Sequence, residues 1–169
     1  RLMPLYYARG HTDLKLNEEA EQAIVAAIYE AMALRLQDAV SDRFISPHSA
    51  ERKEAIVVNV LTAKNVRELA RWAKDGKVSF RENRLGGCMK PGPCEYGGIE
   101  SVARCGGGDG KESCADVLFD REREAQVRAR LNHVSGQMEQ IPGEHPRYAA
   151  LSAERRAMEN YLNVVAENR

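Results

Sequence analysis

The chain has 169 residues, 25 of them Lys or Arg and 25 Asp or Glu, for a formal net charge of zero. That length admits one domain of ordinary size or two small ones. The balance of charge excludes a polycation, no apolar run is long enough to cross a membrane, and no internal repeat or disordered tract stands out.

A first stretch, Tyr6-Tyr7-Ala8-Arg9-Gly10-His11-Thr12-Asp13, precedes a strong helical pattern. Asn17 is placed to cap that helix, and Glu18, Glu19 and Glu21 sit near the positive end of its dipole. Ile24, Ile28, Met32 and Leu36 recur at helical spacing, widened by Val25, Tyr29 and Ala31, which predicts a helix to about Val40. Ser46-Pro47-His48 breaks the pattern, with Pro47 suited to a first helical position. A second helix is expected over roughly residues 48–60. Its end, Ile56 to Leu61, is β-branched and reads equally as helix or strand. Thr62 is the expected cap of a third helix, Ala63 to Lys74, burying Val66, Leu69, Ala70 and Trp72 or Ala73, with Gly76 ending it at C′.

Charge is unevenly spread. Residues 51–84 hold nine Lys or Arg against five Asp or Glu, whereas residues 1–50 hold five against seven. The basic stretch supplies candidate phosphate contacts in Arg52, Lys53, Lys64, Arg67, Arg71, Lys74, Lys77 and Arg81. A solvated helix face is the plainer account of the same residues. Lys77-Val78-Ser79-Phe80-Arg81 alternates and predicts a short strand.

All four cysteines then fall in one Gly/Pro-rich window, as Cys88, Cys94, Cys105 and Cys114. Such a stretch buries little apolar surface against its conformational entropy, so it needs a staple. Two staples fit, a tetrahedral zinc site of four thiolates or a pair of disulfides. The chain opens Arg1-Leu2-Met3-Pro4 without an apolar signal segment, so a cytoplasmic, reducing setting is expected, where clustered cysteines more often bind metal. The gaps of five, ten and eight residues lack the tight pairing of zinc fingers, but the intervening glycines and prolines suit a chain wrapping an ion. With four cysteines available to fill the tetrahedron, the site reads as structural. Cys114 is expected at the start of a long helical pattern, where the dipole favours a thiolate. His11, His48, His133 and His145 lie outside the window and are not expected as ligands.

The remainder predicts two helices. Val127, Leu131, Val134, Met138 and Ile141 form one stripe, and Tyr148, Leu151, Met158, Leu162 and Val165 another, interrupted by Arg155. Pro142-Gly143 and His145-Pro146 mark the turn between them. The expected architecture is mainly α: a helical segment over 1–84 with a short strand near its end, a cysteine-rich zinc knot over 85–115, and an antiparallel helical hairpin over 116–169. The hairpin serves as a stabilising arm or as a contact surface, including contact between copies of the chain. No phosphate loop, dinucleotide fingerprint or Ser/His/Asp arrangement is present, and no base, nucleophile and orienting group occur together.

The order of parts resembles the C-terminal end of large bacterial integrases of the tyrosine recombinase family. The likeness rests on Tyr7-Ala8-Arg9 leading into the Ala-rich stretch from Ala20 to Leu36, on Gly87-Cys88 to Cys94 with further cysteines after it, and on the long charged helical end. It touches most of the chain through short motifs, of which the Gly-Cys-x5-Cys element is the more specific. The resemblance implies a fragment whose activating Arg, Lys and His-x-x-Arg groups lie upstream of Arg1. Tyr7 is then the nucleophile that forms a 3′-phosphotyrosine, DNA is the partner, and these residues are inactive alone. An unactivated Tyr, with a pKa near 10, cannot attack without cationic partners. The alternative expectation is a zinc-stapled helical adaptor that contacts protein and has no nucleic-acid role.

Overall fold

The computed structural model describes residues 17–96 and 102–168. The fold is mainly helical, as expected, with a small antiparallel sheet at its centre. Helix α1, Glu18–Val40, is capped by Asn17, whose side chain accepts from the Ala20 N–H at 2.8 Å. Strand β1, Phe44–Ile45, leads to α2, Ala50–Thr62, and α3, Val66–Lys74.

The residues between 45 and 66 depart from the expected boundaries. Ser49, two residues after Pro47, caps α2 by accepting from the Arg52 N–H. The ambiguous Ile56 to Leu61 run is helical, and it turns Val57 and Val60 into the core. Thr62 closes α2 rather than opening α3. Its hydroxyl donates back to the Asn59 carbonyl at 2.9 Å, and Asn65 caps α3 instead. Gly76 takes φ +73 just past α3, as the C′ position requires.

Strands β2, Arg81–Asn83, and β3, Gly86–Cys88, form a tight hairpin. The Asn83 side-chain oxygen accepts from the N–H groups of both Leu85 and Gly86. Gly86 is required there: its φ is +155, and a Cβ would come within 2.2 Å of the Leu118 carbonyl oxygen. The expected strand over 77–81 is displaced. Val78 and Phe80 are buried core residues ahead of β2.

After helix α4, Val102–Cys105, comes strand β4, Val117–Asp120, where helix was expected. Strand order is β1-β4-β3-β2, with every neighbouring pair antiparallel. The sheet thus takes strands from the N-terminal helical segment, the cysteine window and the C-terminal part alike. A 3-10 turn, Arg121–Arg123, opens into α5, Glu124–Glu139, and α6, Pro146–Glu167, follows. These two helices pack on each other, and α6 also packs on α4. Pro146 stands at the first turn of α6, capped by His145, as the turn signal implied.

Two cores lie on opposite faces of the sheet, because successive strand side chains point opposite ways. Phe44 and Leu118 join Leu36, Val57, Leu69 and Phe80 in the N-terminal core. Ile45, Val117 and Phe119 join Val134, Leu151, Met158 and Tyr161 in the C-terminal one. Asp120, itself fully buried, ties both together. Its carboxylate accepts Arg43 Nε at 2.8 Å and Arg43 Nη2 at 2.6 Å, the Glu122 N–H at 3.0 Å and Arg123 Nε at 3.3 Å. The Tyr161 hydroxyl of α6 donates to the Asp120 carbonyl. Burial opposes ionisation of Asp120, but the Arg43 fork, the Glu122 N–H and Arg123 outweigh it and hold the carboxyl below the usual carboxylate range.

Candidate metal centre

The four cysteines come from four separate pieces of chain. Cys88 ends β3, Cys94 lies in the loop after it, Cys105 ends α4, and Cys114 precedes β4. Cys114 therefore does not sit at a helix N-terminus. The Val117-Leu118-Phe119 run that follows it is apolar on both faces and forms the second strand of the sheet. All four thiols line one cavity of about 230 Å³, together with Arg81, Lys90, Tyr96, Arg104 and Asp116. Each is half-buried, and no disulfide joins them. Among the described residues no group of three or more His, Cys, Asp or Glu stands close enough together to hold a metal ion. The sulfurs share the cavity wall without meeting at one point.

Local hydrogen bonds fix this wall. The Cys114 N–H donates to the Cys105 carbonyl at 3.1 Å, and the Met89 N–H to the Asp116 carbonyl at 2.9 Å. Arg81 Nη2 donates to the Lys90 carbonyl at 2.7 Å, inside the loop between Cys88 and Cys94. Close packing fixes it from behind. The Gly106-Gly107-Gly108 segment lies against α6, where a Cβ on Gly108 would come within 1.7 Å of the Ala153 carbonyl oxygen. Asn160 and Arg156 of α6 donate to the Gly106 and Gly108 carbonyls, each at 2.9 Å.

Electrostatics favour a cation among the thiols. Burial raises Cys88, opposed by the Lys90 N–H bonded to it and by the nearby Arg81 charge. Burial, followed by the like charges of Cys114, Cys88 and Cys94, pushes Cys105 up to about 11. Both shifts favour the neutral thiol, and ionising neighbouring half-buried sulfurs costs repulsion that a bound divalent ion would remove. The donor set suits a soft or borderline ion such as zinc, which four thiolates hold at about 2.3 Å. The fit is one of donor chemistry, four thiols lining one cavity.

The predicted phosphate contacts divide. Arg52 donates to the Ala115 carbonyl at 2.9 Å and to Asp116 at 3.3 Å. Lys53 reaches the Ser41 carbonyl at 2.6 Å, and its burial lowers the ammonium's pKa. Arg81 is spent on Lys90, and Arg71 pairs with Glu68 at 3.4 Å. Lys64, Arg67, Lys74 and Lys77 are exposed and form no ion pair among the described residues. Arg67, Arg71 and Lys74 line one wall of an open groove of about 860 Å³ between α3 and α1, across from Glu18, Glu21 and Glu30. Tyr7 and His11 lie outside the described residues. His48 is no ligand; its Nε2 donates to the Ser113 carbonyl at 3.0 Å. Sequence reasoning missed Arg104, which stacks 4.6 Å over the Tyr96 ring and donates to the Glu112 carbonyl at 3.0 Å. Its place one residue before Cys105 was the available signal. Compared with protein-family models, curated proteins and solved structures, the chain matches none.

Proposed function

We propose that this chain is a zinc-stapled helical module of an integrase-type site-specific recombinase, assisting DNA binding or subunit assembly. The observation that carries the zinc is the convergence of four unpaired thiols, from four pieces of chain, on one cavity. Zinc bound there supplies structure rather than chemistry, holding together β3, α4 and the entry to β4. The recombinase reading is supported by Tyr7-Ala8-Arg9, the Gly87-Cys88 to Cys94 element and the exposed cations Lys64, Arg67, Lys74 and Lys77. In this reading Tyr7 is the nucleophile, and cationic groups of a longer parent chain stabilise the charge that develops on the phosphate. A suicide DNA substrate tests it. The parent is expected to form a covalent adduct that Tyr7→Phe abolishes, while these 169 residues alone form none. An adduct that survives Tyr7→Phe removes Tyr7 from the chemistry.

The second reading, an adaptor that contacts protein, is favoured by the inward bonding of Arg52, Lys53 and Arg81. Exposed Val58 and Leu61 on α2 would then serve as contacts. Absence of any DNA shift at low salt would select it.

A further inference from the structure

We propose that Arg52, His48 and Arg104 form a clamp that positions Cys114 for the metal, an inference that rests on the zinc reading. Four consecutive carbonyls around this ligand are occupied. Glu112 accepts from Arg104 Nη1 at 3.0 Å, Ser113 from His48 Nε2 at 3.0 Å, Cys114 from the Val117 N–H at 3.3 Å, and Ala115 from Arg52 Nε at 2.9 Å. The three side chains come from two sides of the centre. His48 immediately precedes the Ser49 cap of α2, Arg52 lies in the first turn of that helix, and Arg104 belongs to α4. The segment over 112–115 is otherwise irregular, so its backbone direction is set by these donors and not by a helix or a strand ladder. A ligand on such a segment loses metal affinity when its supporting partners are removed, because the sulfur must then be ordered at the moment of binding.

Charge adds to position. Zinc with four thiolates carries a net charge of −2, formed as four thiols release four protons. Arg104 lines the cavity directly, and Arg52 reaches its rim through Asp116. The Arg104 guanidinium therefore offsets the anionic centre while it holds a carbonyl, and Arg52 offsets the Asp116 carboxylate on the same wall. This also explains why Arg52, one of the most promising phosphate contacts in the sequence, is turned inward.

The test is zinc affinity measured against a chromophoric chelator on the full chain, with cobalt spectra reporting a four-thiolate tetrahedron. Arg52→Gln, His48→Gln and Arg104→Gln are each expected to weaken zinc binding by about 10- to 100-fold. Arg147→Gln, on an exposed turn of α6, leaves it unchanged. Arg104→Lys keeps a charged donor and is expected to recover most of the loss. His48→Gln removes no formal charge and leaves the guanidiniums in place, so it reports on positioning if an arginine variant fails to fold. Wild-type chain that binds zinc, with all three Gln variants within twofold of it, overturns the clamp alone. Equal losses in Arg104→Lys and Arg104→Gln assign the effect to packing and also overturn it. Wild-type chain that takes up no zinc removes the zinc reading, and the clamp with it.

Discussion

At the scale of single residues, Asp120 carries a large expected effect. Its carboxylate is fully buried and answered by two arginines, so Asp120→Asn removes the buried counter-charge of both, leaving Arg43 only the exposed Glu122 and Arg123 only the half-exposed Glu82. Arg43 is partly solvated, which places the loss at the low end of the range for breaking a buried pair, about 3 kcal/mol, read from urea unfolding. The pH dependence has a definite sign. The folded-state pKa lies below the unfolded value of about 3.9, so the stabilisation is fully present above that value and fades as pH falls toward the folded pKa. Wild-type stability should therefore drop on acidification below about pH 4, and the Asn variant should lose less over the same interval. A glycine gives the opposite kind of test. Gly136 lies inside α5, where an added Cβ meets nothing within 4 Å. Gly136→Ala should raise stability by about 0.5–1 kcal/mol, since only backbone entropy changes. Gly108→Ala should lower it by about 3 kcal/mol, because the Ala153 backbone blocks the methyl group.

At the scale of elements, metal loading should separate two parts of the molecule. One zinc per chain is expected by metal analysis. A chelator should then raise amide exchange over the cysteine window while the hairpin of α5 and α6 keeps its protection. Those helices were legible in the sequence because each is buried on one side only, so Val127, Val134 and Met138 repeat at the helical period. β4 was not legible for the opposite reason. It is buried on both faces, so Val117-Leu118-Phe119 shows no alternation to distinguish a strand from a helix segment. The cap of α3 was misplaced because Thr62 and Asn65 are both good caps, and only the preceding helix, running on to Thr62, decides between them.

At the scale of the whole molecule, the outward charge is smaller than the sequence count suggests, since Arg52, Lys53 and Arg81 serve the fold. Within the basic stretch over 51–84, the exposed cations that form no ion pair among the described residues are Lys64, Arg67, Lys74 and Lys77, and they are the proposed DNA contacts. Changing Arg67 and Lys74 together to Gln should weaken binding uniformly across sequences. The salt slope should fall by about one for each phosphate no longer neutralised, measured by titration at several salt concentrations. The cysteine set was legible because its residues are chemically distinctive. Its supports were not, because His48 and Arg52 act across more than 60 residues on backbone carbonyls that leave no trace in the side-chain pattern. The pairing of Phe44 with Asp120 has a similar reach. A ribosome delivers α1, α2 and α3 well before Leu118, the residue that fills the core beneath them. Until then the nascent chain holds Phe44, Phe80 and an unpaired β1 without their cover. A message truncated ahead of the codon for Val117 should accordingly yield a product that aggregates or is captured by chaperones, even though α1, α2 and α3 have been made.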